Sequence, residues 1–151
     1  ARSFKLASNG KKVMYAIGRT ADADPFGMVR AMYYLEDTLW LTEGEFDAIA
    51  LDYCMTLVGN KKGYPVISLT AGGGSIDKNL DYIESRIKRK VKYLVLVVDD
   101  DEVGRLAEAT ARDKWGDMVI CIKKPKGCND ANDAVTNGQA VLMGQLALNF
   151  K

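Results

Sequence analysis

The chain has 151 residues, 48% of them hydrophobic and 27% charged, with a formal net charge of +1, enough for one domain with its own core. A charge this close to zero gives no global field toward nucleic acid, so any such contact must use local patches. There is no histidine, which excludes a Ser-His or Cys-His nucleophile pair and a histidine general base.

Three cysteines, Cys54, Cys121 and Cys128, show no paired spacing. Cys54 and Cys121 fall in apolar segments and read as reduced core residues, which suits a reducing compartment. With no histidine and no Cys-x-x-Cys pair, a zinc ribbon has no ligand set. No apolar stretch reaches the roughly 18 residues that a membrane span needs, and no signal-peptide pattern is present. The chain starts at Ala1 rather than methionine and is expected to be a piece of a longer protein.

In chain order, Lys11 to Ile17 reads as a strand entered through a turn at Asn9-Gly10. Thr20 to Gly27 reads as a loop, so the first residues are expected to form a small hairpin-like extension. Strand and helix then alternate. Strand Thr38 to Thr42 leads to helix Phe46 to Leu57, with Phe46, Ile49, Ala50 and Tyr53 as its apolar face. Glu43 sits where the strand ends, and Asp47 falls one helical turn later, within reach of the same side.

Strand Val66 to Leu69 leads into Gly72-Gly73-Gly74. Bare backbone amides before a helix can take a phosphate, with Gly73 at the centre, although the stretch lacks the Gly-Lys-Thr of a P-loop. A flexible turn is the alternative. Helix Ile76 to Lys88 follows, with Leu80, Ile83 and Ile87 inward.

Strand Tyr93 to Val98 is β-branched and apolar on both faces. Asp99, Asp100 and Asp101 follow it. In extended backbone alternate side chains share a side, so Asp99 and Asp101 are expected to point together and Asp100 away. Close carboxylates repel unless a proton or cation lies between them, and hard oxygen ligands suit Mg²⁺ or Mn²⁺. An acidic turn capping the next helix is the competing reading. Ligands of open α/β sheets lie at the carboxyl ends of strands, where both acidic clusters fall.

Helix Val103 to Trp115 comes next, with Glu102 outward or capping. Strand Met118 to Ile122 leads to the basic loop Lys123-Lys124-Pro125-Lys126, on the acidic side, where it suits a triphosphate or template. Lys11, Lys12 and Arg19 are candidates to reach the same site from the N-terminal segment. Lys61-Lys62 reads as a solvated face, and Arg86 to Lys92 as cations at a helix end. Asp130 caps a short helix to Val135 or serves as a metal ligand. Gln139 to Leu148 reads as the last helix. Repeated βα units of this length imply a parallel sheet with right-handed crossovers.

Thr42-Glu43-Gly44-Glu45-Phe46-Asp47, Asp99-Asp100-Asp101-Glu102-Val103-Gly104-Arg105 and Cys128-Asn129-Asp130-Ala131-Asn132-Asp133 together resemble the TOPRIM domain of the primase branch, especially phage-type primase–helicases. The resemblance runs from about Pro25 to Val135. Asn129 stands where a lysine is usual. It implies an α/β, Rossmann-like parallel four-stranded sheet flanked by helices, with residues 1–34 as an N-terminal extension of a primase core and 35–151 as the TOPRIM domain. It also implies a phage or mobile-element origin and a place in the cytoplasm of a bacterium or phage-infected host, an organellar origin staying open.

The activity implied is template-directed joining of ribonucleotides into RNA primers on single-stranded DNA. Glu43, Asp99 and Asp101 would be the catalytic metal ligands. Asp47 and Asp130 would complete a second metal about 4 Å from the first. Glu43 is open to a second role as the base. Lys11, Lys12, Arg19, Gly73, Lys123, Lys124 and Lys126 would meet nucleotide or template, and a helicase domain or subunit is an expected partner. Two other readings remain open. One is a TOPRIM nuclease or strand-cleaving enzyme, which in the topoisomerase manner needs a tyrosine from another domain. The other is a binding module without activity.

Overall fold

The computed structural model describes residues 24–70, 75–87 and 90–150. The N-terminal hairpin expected around Lys11 to Ile17 lies outside the described residues. Four strands form the sheet: β1 (Thr38–Thr42), β2 (Val66–Ser68), β3 (Tyr93–Val97) and β4 (Val119–Cys121), in the order β2-β1-β3-β4 and all parallel. Among the described residues six α-helices frame it: α1 (Met28–Tyr34), α2 (Glu45–Val58), α3 (Ile76–Ile87), α4 (Glu102–Trp115), α5 (Ala131–Thr136) and α6 (Ala140–Leu148). This is the parallel α/β sandwich that the alternating pattern implies.

Strand alternation divides the core into two layers. Leu39 and Leu41 of β1 with Leu94 and Leu96 of β3 pack against Ala31 of α1, Leu80 and Ile83 of α3, and Ala107 and Ala111 of α4. Trp40, Val95 and Val97 point the other way, onto Leu51 and Cys54 of α2, Ala131 of α5 and Met143 of α6. Every residue of β1 is buried, as expected of a strand covered on both faces.

Connections from β1 run out to β2, whereas β3 leads on to β4 in the opposite direction. The chain therefore reverses between β1 and β3. In open α/β sheets such a switch point opens a crevice at the carboxyl ends of the strands.

Two local expectations change. The first concerns α2, whose expected apolar face is turned to solvent. Phe46, Ile49 and Tyr53 are 59%, 55% and 50% exposed, and of that set Ala50 alone is buried. Ala48, Leu51, Cys54 and Met55 face inward instead. The helix is apolar almost all round, so periodicity did not single out the stripe that meets the sheet. The inward stripe includes Cys54, whose carbonyl faces Gly144 of α6. The second is α1, which occupies part of the stretch leading to β1 and plants Met28 and Ala31 in the core. Phe26 pairs antiparallel with Ser68 at the edge of β2.

The contact between α2 and α6 is near the limit of approach. A Cβ on Gly144 would overlap the Cys54 carbonyl oxygen and crowd the Val58 side chain. The Trp40 indole N–H crosses the layer to donate to the Ala147 carbonyl at 3.1 Å, tying α6 to the sheet. Gly144→Ala should therefore destabilise the fold by about 1–3 kcal/mol, the usual cost of overpacking, seen as a fall of several degrees in thermal denaturation. A melting temperature equal to that of the unaltered chain would show that α6 does not sit this near α2.

Candidate metal centre

Register brings the first two carboxylates together. Thr42 of β1 lies opposite Val97 of β3, so Glu43 and Asp99 leave the sheet as neighbours. The Asp99 backbone N–H donates to Glu43 Oε1 at 3.0 Å. Continuing the alternation of Val95 and Val97, Asp99 turns toward the α2-α5-α6 layer. Burial raises its carboxyl above the ordinary range, and the charges of Glu43, Asp130 and Asp101 add to this, with Lys124 opposing.

Thr42 shapes the bend after β1. Its buried hydroxyl is within hydrogen-bond reach of the Gly44 and Ile67 carbonyls. Gly44 then precedes α2 in extended conformation, and Asp47 comes in the first turn. Its carboxylate accepts the Asn132 backbone N–H at 3.4 Å, which links α2 to α5. Burial pushes Asp47 up to about 6, first by desolvation, then by the charge of Asp130, with smaller repulsions from Asp99 and Glu43; the Asn132 amide works against the rise.

Asp130 is the N-cap of α5, its Oδ1 accepting the Asp133 N–H at 2.6 Å. Asp101 plays the same part for α4, its Oδ1 accepting the Gly104 N–H at 2.8 Å. Both capping readings of the acidic turns thus hold. Asp100 is exposed, in line with its expected outward direction. Among the described residues, no three carboxylates stand close enough to share one ion. Glu43, Asp99 and Asp101 stand as a looser cluster around the ends of β1 and β3. Helix-terminal amides engage one oxygen each of Asp101 and Asp130. The donor set still suits a hard divalent ion: a carboxylate that spends one lone pair on a backbone N–H keeps several more. Glu43, Asp99 and Asp101, with Asp47 and Asp130, are the candidates to hold it.

Gly104 fixes the spacing of this loop. A Cβ there would collide with the Asp99 carbonyl oxygen, so α4 starts directly against the acidic segment.

The basic loop stands one strand over. Leu96 of β3 pairs with Cys121 of β4, which sets Lys123 and Lys124 beside Val98 and Asp99. The Lys124 ammonium donates to the Val98 carbonyl oxygen, while Lys123 and Lys126 are exposed. Lys11, Lys12, Arg19 and Gly73 lie outside the described residues. Sequence reasoning missed the Lys124 anchor and the link from Asp47 to α5, because both depend on contacts between segments far apart in the chain. It also passed over Arg105, which faces the basic loop from α4.

The Toprim-like family matches residues 40–135, the stretch that holds every one of these acidic residues. The chain belongs to the Toprim-like family. Its fold is also that of the primase fragment of the bacteriophage T7 primase-helicase, at 23% identity and a TM-score of 0.69, over 94% of this chain and 55% of that one. The primase domains seen with the bacteriophage T7 lagging-strand DNA polymerase, bound to an RNA/DNA hybrid and dTTP, are similar at 23% identity and a TM-score of 0.61, over 93% of this chain and 66% of that one. The Toprim chain thus spans little more than half to two thirds of these proteins. No curated protein matches it in sequence. Among the described residues no helix is long and apolar enough to cross a membrane.

The electrostatics of the Toprim cluster give a pH test. Asp47 rises from its ordinary 3.8 to about 6, so the folded chain keeps this proton to higher pH than the unfolded chain does. Stability of the metal-free protein should then fall as pH rises from about 4 to 6 and stay lower above that. Asp47→Asn removes the charge and keeps an acceptor for the Asn132 N–H. In thermal melts with a chelator, the variant should melt above the unaltered chain at pH 7, with the gap closing toward pH 4. A gap that is absent, or that widens at low pH, would overturn this account.

Proposed function

We propose that this chain is the catalytic core of a DNA primase, which makes RNA primers from ribonucleoside triphosphates on single-stranded DNA with Mg²⁺ or Mn²⁺. The observation that carries the reading is the parallel register of β1 and β3, which delivers Glu43 and Asp99 side by side into the switch-point crevice with a lysine loop on the next strand. Family membership and the fold of the T7 primase fragment support it.

In this reading Glu43, Asp99 and Asp101 would hold one divalent ion, and Asp47 and Asp130 would hold a second. When bound, divalent metal supplies Lewis-acid stabilisation of the transferring phosphoryl group and activation of the attacking hydroxyl. The chain's own part is positional. Backbone amides fix the carboxylates before substrate arrives, which lowers the reorganisation needed at the reacting centre. A 3′-hydroxyl attacks the α-phosphorus, the bond to the β-phosphate oxygen breaks, and pyrophosphate leaves. Lys123 and Lys126 counter the charge of the phosphates, as Lys11, Lys12, Arg19 and Gly73 would from the segments beyond. The fold neighbour is a primase-helicase, so a helicase domain or subunit is the proposed partner. A bacterial or phage-infected cytoplasm fits such a role.

The test is incorporation of labelled ribonucleotides on a single-stranded template at low salt, by this chain and by its parent protein. Short oligoribonucleotides are expected, made only with Mg²⁺ or Mn²⁺. Asp101→Asn should cut synthesis on the order of a hundredfold or more and leave the melting temperature unchanged, since Asn still caps α4. Asp101→Ala should lose the same activity and also about 1 kcal/mol of stability. Metal-dependent template degradation, with no ribonucleotide incorporated by either protein, would replace this reading with the nuclease one.

A further inference from the structure

At the β2 edge of the sheet, α1 and the outer side of α2 form an apolar face. Phe46, Ile49, Tyr53 and Leu57 recur at helical spacing along α2 and are all exposed, so they form one stripe of that helix. On α1, Val29 and Tyr33 stand 83% and 82% exposed, and Met32 is exposed between them. With Phe26, these are eight of the twelve large apolar side chains exposed among the described residues; the other four are divided between α4 and α6. The apolar surface is thus concentrated here rather than scattered. A groove of about 740 Å³ runs between the two helices, with Val29 and Tyr33 on one wall, Ala48 and Ile49 on the other, and Val66 of β2 between them.

Size, charge and shape decide what the face fits. Side chains exposed to this extent, four of them aromatic, present on the order of 800 Å². The largest apolar patch on a typical monomer is about 300–600 Å², whereas each partner in a stable interface contributes about 800 Å². The charged groups lining the groove offer nothing to a polyanion: Arg30 is held by Asp52 at 2.6 Å, and Asp24 stands at the rim. The same pairing leaves two copies of the face little charge with which to repel each other. Val29 and Tyr33 project beside the groove, so one face carries both a ridge and a slot. A two-fold contact requires such self-complementarity. The amino-terminal residues of the chain hold one apolar run of similar character, Val13 to Ile17. Five residues reach about 17 Å even when extended, too little to cover both helices.

We propose that the α1–α2 face is the interface of a two-fold homodimer, in which α1 of each copy enters the groove between α1 and α2 of the other. Aromatic and aliphatic side chains form its centre, as in other homodimer interfaces, and the Arg30–Asp52 pair lies within it already neutralised. Phe46 adjoins Asp47 in the first turn of α2, so the interface runs up to the edge of the acidic centre. The dimer does not depend on the primase reading.

The experiment is sedimentation equilibrium of the full chain from about 1 to 100 μM, since interfaces of this size dissociate at micromolar concentration or below. A monomer–dimer equilibrium is expected, with dimer dominant at the upper end. Ile49→Glu and Val29→Glu each place two charges in a two-fold contact, one from each copy. Each should weaken the dimer about a hundredfold or more, as loss of a central contact does. Leu106→Glu, an equally exposed apolar site on α4, should leave dimerisation unchanged. Thermal melts at the lowest concentration show that each variant folds. A chain that stays monomeric at 100 μM overturns the proposal; if Ile49→Glu then also lowers its melting temperature, the groove is filled from within the same chain. A dimer that survives both α1 and α2 substitutions, or that Leu106→Glu disrupts, overturns it as well.

Discussion

Parallel pairing of β1 with β3 is the constraint on which the site depends. Once Thr42 lies opposite Val97, the residues that follow have no freedom to separate, and two acidic side chains emerge at neighbouring points. The sheet that fixes this register is stabilised by apolar burial on both faces. Hydrophobic burial is thus the force that holds like charges near one another. Asp47 and Asp99 record the cost as carboxyls that resist ionisation.

Backbone amides moderate that cost. Glu43, Asp47, Asp101 and Asp130 each accept a backbone N–H, from Asp99, Asn132, Gly104 and Asp133 respectively. Three of these donors, Asn132, Gly104 and Asp133, belong to helix first turns, where the macrodipole also favours negative charge. The fold therefore supplies positive partial charge that needs no ion, and each carboxylate retains lone pairs facing the crevice.

Much of this was legible in the sequence, for identifiable reasons. The strands and α3 follow patterns that one interaction dominates: β-branched apolar runs for the former, and Leu80, Ile83 and Ile87 at helical spacing for the latter. Asp101 and Asp130 as caps follow from local chemistry three residues long. The failures have a common origin in contacts between distant segments. Which stripe of α2 faces inward is decided by α6, more than 80 residues later in the chain, and no window within α2 contains that information. Lys124 looked like a free cation in a basic run, yet its role is set by the Val98 carbonyl on another strand.

Gly104 carries one more implication. Because α4 begins in contact with the Asp99 carbonyl, loop and helix have no slack between them and move as a single body. A displacement of the start of α4 must therefore carry the Asp99 segment with it, since Gly104 leaves no room between them. Glu43 and Asp47 belong to the other side of the crevice, on β1 and α2. The aperture between the two halves is then a mechanical variable of the fold, adjustable by core packing well away from the acidic residues themselves.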